Sequence, residues 1–116
     1  MNKQEELNFK INCIISRGKN IIYYRKIDNR PRCQYIHVVR LFRKDLKEIL
    51  SLIPEYDPKY LGIKELLKKV IQVIPPKVKS ENCEEVIMKF AKILMTSEEF
   101  NNIPIYPISN NQKFDE

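Results

Sequence analysis

The sequence predicts an α+β domain: a three-stranded antiparallel β-meander over residues 8–41, packed against about three α-helices over residues 42–100, followed by an extended, proline-containing segment at 101–116. Two observations predict it. Near the N-terminus apolar residues recur at every second position, the period of a half-buried strand, whereas from Phe42 onward they recur at every third or fourth, the period of an amphipathic helix. Strand-like runs gathered first and helix-like runs gathered after them give segregated layers rather than alternating βαβ units.

The first strand is read over residues 9–15, where Phe9, Ile11, Cys13 and Ile15 share one face. The polar stretch Ser16-Arg17-Gly18-Lys19-Asn20 follows and holds one of only two glycines. Beyond it Ile21-Ile22-Tyr23-Tyr24-Arg25-Lys26-Ile27 is rich in β-branched and aromatic residues, so the pair reads as a hairpin. The break Asp28-Asn29-Arg30-Pro31-Arg32 leads into a third strand at 33–41. Its phase is open, because Cys33, Tyr35, His37, Val39 and Leu41 compete with Ile36 and Val38 for the inner face.

The first helix carries Phe42, Leu46, Ile49, Leu50 and Ile53 as its apolar stripe and stops at Pro54. Asp57 before Pro58 supplies an N-cap and a first-turn residue for the second, whose stripe is Ile63, Leu66, Leu67, Val70, Ile71 and Ile74 and which Pro75-Pro76 ends. Ser80 is the expected cap of the third. Its early Glu81, Glu84 and Glu85 suit the positive end of the helix dipole, and Val86, Ile87, Phe90, Ala91 and Leu94 face inward. In the last segment Pro104 and Pro107 bar a helix, and Ile103, Ile105, Tyr106 and Ile108 make it unusually apolar for a free tail. It is expected to pack on its own domain or to dock on a protein partner.

With 116 residues, 43% of them apolar and 31% charged, the chain suffices for one compact domain at residues 1–100 plus that segment. No apolar run approaches the ~20 residues of a membrane span, and the start is acidic and polar where a signal peptide is basic and then apolar. The expectation is a cytoplasmic protein. Cys13, Cys33 and Cys83 are odd in number and widely spaced, which argues against a disulfide framework. With His37 the only histidine, a four-ligand zinc site falls short of donors, so neither metal nor cofactor is expected. Catalysis is not expected either: no set of residues fills nucleophile, base and orienting roles, no glycine-rich phosphate loop exists, and no small-molecule substrate is evident.

Charge gives the one functional lead. Residues 1–44 carry eleven Lys and Arg against three acids, whereas residues 45–116 carry ten Lys against twelve acids; all six arginines lie between Arg17 and Arg43. Arginine's planar fork matches phosphate oxygens two at a time, so a basic sheet displaying an aromatic suits a nucleic-acid strand. The expected site comprises Lys10, Arg17, Lys19, Arg25, Arg30, Arg32 and Arg40 on phosphates, with Tyr23 stacking on a base. DNA and RNA are equally compatible with it, and weak sequence preference is expected because the contacts are to the backbone. The alternative is a small adaptor or structural subunit of a larger assembly, docking through its basic sheet and through Ile103, Ile105, Tyr106 and Ile108.

Overall fold

Taken with a period of 3.6 rather than 2, Ile11, Ile14, Ile15, Gly18, Ile21 and Ile22 form one continuous stripe, and the computed structural model builds a single helix on it. The structure describes residues 2–24 and 32–98. Helix α1 runs Lys3–Tyr24, α2 runs Arg32–Leu52, a 3₁₀ turn occupies Pro58–Tyr60, α3 runs Leu61–Gln72 and α4 runs Cys83–Met95. Among the described residues there is no strand. The meander predicted over 8–41, and with it the α+β class, gives way to a helical bundle.

The correction has a physical cause. Residues 9–15 satisfy both periods at once, since Ile11 and Ile15 lie on one face of a strand and also one turn apart on a helix. What decides is the other partner of the stripe: Ile14 is 3% exposed while Phe9 is 58% exposed, the reverse of the strand expectation. The polar stretch 16–20, read as a hairpin loop, is the middle of α1. The predicted third strand, 33–41, is the first half of α2, whose buried Val38, Val39, Phe42, Leu46 and Ile49 follow the helical spacing without a break.

Local chemistry sets the ends. Asn2 Oδ1 accepts the Glu5 N–H at 2.8 Å while Asn2 Nδ2 donates to Glu5 Oε1 at 3.1 Å, a reciprocal cap on α1. Asp57 accepts the Lys59 N–H at 3.0 Å with Pro58 next in the chain, but the element it caps is the 3₁₀ turn and not the helix expected there: α3 begins at Leu61, with Tyr60 at its N-cap position and no side-chain cap. Pro75 and Pro76 follow α3, whose last turn tightens as Ile74 N–H donates to Ile71 O. Ser80 does not cap α4. Asn82 holds the N-cap position, and its Oδ1 accepts the Lys79 N–H at 2.9 Å, closing the turn before the helix.

The core lies where the helices meet. The rings of Phe42 on α2 and Phe90 on α4 stand 5.2 Å apart at 47°, surrounded by the fully enclosed Ile15, Val39, Leu46, Leu67, Val70, Ile87 and Leu94. Helix α1 packs on α2 and α4, and α3 packs on the same pair. Five successive residues of α1, Gly18 to Ile22, are buried, so this stretch is closed in around its whole circumference. Two arginines tie α2 to the connection between α3 and α4: Arg43 Nε donates to Ile74 O at 2.9 Å and Arg40 Nη2 to Val78 O at 2.7 Å.

Candidate functional site

Helices α1 and α2 run antiparallel, with Gly18 against Phe42 and Arg17 against Asp45 at one level and Phe9 near Leu52 at the other. On the side away from the core they leave a groove of 270 Å³ between them. Its apolar lining is Phe9, Cys13 and Ile14 from α1 and Ile49 and Leu52 from α2. On α1, Phe9 and Cys13 are one turn apart, as are Cys13 and Arg17, which aligns them along the groove; Ile49 and Leu52 do the same on α2. Phe9 remains 58% exposed and Leu52 48%, an uncommon surplus of large apolar surface on neighbouring helices.

Both cations of the groove are matched on the protein itself, while Glu48, an exposed acid, also lines it. Arg17 Nη1 meets Asp45 Oδ2 at 2.7 Å, bridging the two helices at one end, and Lys10 Nζ meets Glu6 Oε1 at 3.4 Å along α1. Both pairs are half-exposed, so each contributes little to stability, yet each neutralises a rim cation. Beyond Lys10 and Leu52 the groove continues into a second hollow of 540 Å³ that reaches Lys3, Leu7, Pro54 and Tyr60. Tyr60 Oη donates to Asn8 Oδ1 at 3.1 Å and fixes the 3₁₀ turn against α1 there.

The structure disperses the residues expected to bind nucleic acid. Lys10 and Arg17 line the groove in the pairs just described. Lys19 is 6% exposed, inside the bundle rather than on its surface, and Arg40 holds Val78 O. Tyr23 is 40% exposed near the end of α1, about 20 Å along the helix from Lys10. Arg25 and Arg30 lie outside the described residues, as do Ile103, Ile105, Tyr106 and Ile108; Arg32 opens α2, but its side chain is outside the description. The basic sheet expected to display Tyr23 among these cations therefore has no counterpart among the described residues.

The groove residues Phe9, Cys13, Ile14, Ile49 and Leu52 were not expected as a site. The strand period puts Phe9 and Cys13 on one face with Ile11 and Ile15, whereas the helix turns both outward. The available signal was that a helix over 3–24 needs only Ile11, Ile14, Ile15, Gly18, Ile21 and Ile22 inside, which leaves Phe9 and Cys13 as apolar residues in excess of the core. Among the described residues no cluster of three His, Cys, Asp or Glu forms a metal site, and no helix is long and apolar enough to cross a membrane. Neither a family model, nor a curated protein, nor a solved structure matches this chain, so its geometry alone carries the functional reading.

Proposed function

We propose that the chain is a non-enzymatic protein-interaction module, a small helical adaptor that captures an uncharged, apolar segment of a partner protein in the groove between α1 and α2. The observation that carries this reading is the half-exposed pair Phe9 and Leu52, with the exposed Cys13 beside them, over a floor of Ile14 and Ile49. Burying such a surface against a partner removes apolar area from water at about 25 cal/mol per Å², while the rim cations Lys10 and Arg17, already paired with Glu6 and Asp45, ask for no acidic partner. A display library of random dodecapeptides panned against the full chain tests it. Apolar peptides should be recovered by the wild type and lost on a Phe9→Glu, Leu52→Glu variant whose circular dichroism and melting are unchanged. Equal enrichment on that variant rejects the reading, as does recovery of no apolar peptide both on the full chain and on a chain whose own apolar segment carries Ile105→Asp and Ile108→Asp.

A second reading, nucleic-acid binding through phosphates, is supported by one feature, the excess of eleven cations over three acids in residues 1–44. With Lys10, Arg17 and Arg40 engaged and Lys19 enclosed, it falls to Arg25, Arg30 and Arg32. Fluorescence anisotropy of labelled single-stranded and duplex DNA and RNA at two salt concentrations decides it. Binding that weakens steeply with salt and disappears on Arg25→Glu, Arg30→Glu supports it; no binding at low salt removes it.

A further inference from the structure

Resting on the groove as the interaction site, we infer that its resident occupant is the chain's own segment Ile103 to Ile108, which covers it until a partner segment displaces it. The inference starts from where α4 ends. Leu94 reaches to 3.0 Å from the position a β-carbon on Gly18 would take, so the last turn of α4 abuts α1 beside Arg17, the residue that bounds one end of the groove. From Glu98 to Ile103 the chain spans up to about 17 Å when extended, and a helix with its side chains is about 10–12 Å thick. The segment thus has enough chain to pass around α1 and enter the groove at the Arg17 end.

Length and chemistry then agree. Along α1 the groove extends from Arg17 to Phe9, about 12 Å, and its continuation to Lys3 brings it to about 21 Å. Ile103-Pro104-Ile105-Tyr106-Pro107-Ile108 in a polyproline conformation covers about 16 Å between its ends. The twelve residues Asn101 to Gln112 carry no charge, which suits a groove whose Lys10 and Arg17 already hold Glu6 and Asp45, and which sets no acid against the exposed Glu48 on the same wall. Two prolines stiffen the segment before it binds, so little ordering entropy opposes docking, and its covalent attachment supplies an effective concentration on the order of millimolar. A partner must exceed that competition, which makes the segment a brake on the groove.

Cys13, exposed on the groove wall, is a built-in reporter. In the full chain with Cys33→Ser, an Ile105→Cys substitution should form a disulfide with Cys13 under mild oxidation, within one chain, roughly tenfold faster than a Gln112→Cys control. Peptide mapping identifies the bond, and non-reducing electrophoresis shows whether one or two chains are joined. As a second measurement, Ile105→Asp with Ile108→Asp should speed alkylation of Cys13 and raise recovery of library peptides by a similar factor. Equal rates for the Ile105 and Gln112 substitutions, or unchanged alkylation, overturn the inference; bonds joining two chains overturn it in favour of a second copy as occupant. If groove-dependent peptides are recovered equally with and without the aspartates, the brake fails while the interaction module stands. Recovery of none on either chain removes the module itself.

Discussion

Gly18 of α1 lies against the ring of Phe42 on α2 so closely that a β-carbon added to the glycine would stand 2.9 Å from Phe42 Cζ. Leu94 of α4 closes the same position from the other side at 3.0 Å, and both neighbours are enclosed, at 1% and 0% exposure. The glycine is the point at which three helices come together.

The two glycines should therefore respond to alanine with opposite signs. Ala gains up to about 1 kcal/mol over Gly in a helix, but overpacking a filled core costs about 1–3 kcal/mol. Gly18→Ala should lose about 1 kcal/mol net and several degrees of Tm. Gly62→Ala, which meets nothing within 4 Å, should gain about 0.5–1 kcal/mol. Thermal and urea melts of both variants check this; stabilisation by Gly18→Ala would contradict the packing.

Arg40 and Arg43 should act on the fold rather than on a ligand. A hydrogen bond from a charged donor contributes about 1.5–3 kcal/mol, and partial exposure brings each of these to about 1–2 kcal/mol. Replacing either with Met should lower stability by that amount. Hydrogen exchange should quicken at the amides of Lys79 and Asn82, whose bonds close the turn beyond Val78. Unchanged exchange there would show that the arginines do not hold the connection.

Asn20 carries the opposite expectation. Its Oδ1 is buried with no hydrogen-bond partner, and leaving such an acceptor unpaired costs about 1–3 kcal/mol. Asn20→Leu should be neutral or stabilise the chain by up to about 1 kcal/mol, an unusual result for a polar-to-apolar change at one position. A loss of more than that on urea unfolding would mean the amide is satisfied.

Thiol chemistry separates two of the cysteines. Cys13 is exposed and Cys83 is 2% exposed at the start of α4. Iodoacetamide on the native chain should modify Cys13 long before Cys83, and urea should abolish the difference. Peptide mass spectrometry reads both sites, and equal native rates would place Cys83 outside the core.

The helices after Phe42 were legible because their stripes admit one period and prolines mark their ends: Pro54 and Pro75-Pro76 stop α2 and α3 where the sequence says they must. The N-terminal third was not, for two reasons. Isoleucines at 11, 14, 15, 21 and 22 carry β preference while lying at helical spacing, and the local cost of Ile in a helix is only a few tenths of a kcal/mol, which burial overrides. Gly18 beside Lys19 and Asn20 resembles a turn, yet the glycine answers to the ring of Phe42, a contact 24 positions away that no local window contains. The site suffered in turn. Arginines that suggested phosphate contacts make carbonyl and carboxylate contacts, at Val78, Ile74 and Asp45, that depend on tertiary placement.

The groove between α1 and α2 is the central claim, and backbone amide NMR tests it most directly. The nitrogen-15-labelled full chain would be titrated with a peptide recovered on the wild type. Shifts concentrated at Phe9, Cys13, Ile14, Ile49 and Leu52, saturating together and absent in the Phe9→Glu, Leu52→Glu variant, are the result expected. Shifts centred instead on α3 and α4, or scattered without saturation, would contradict it.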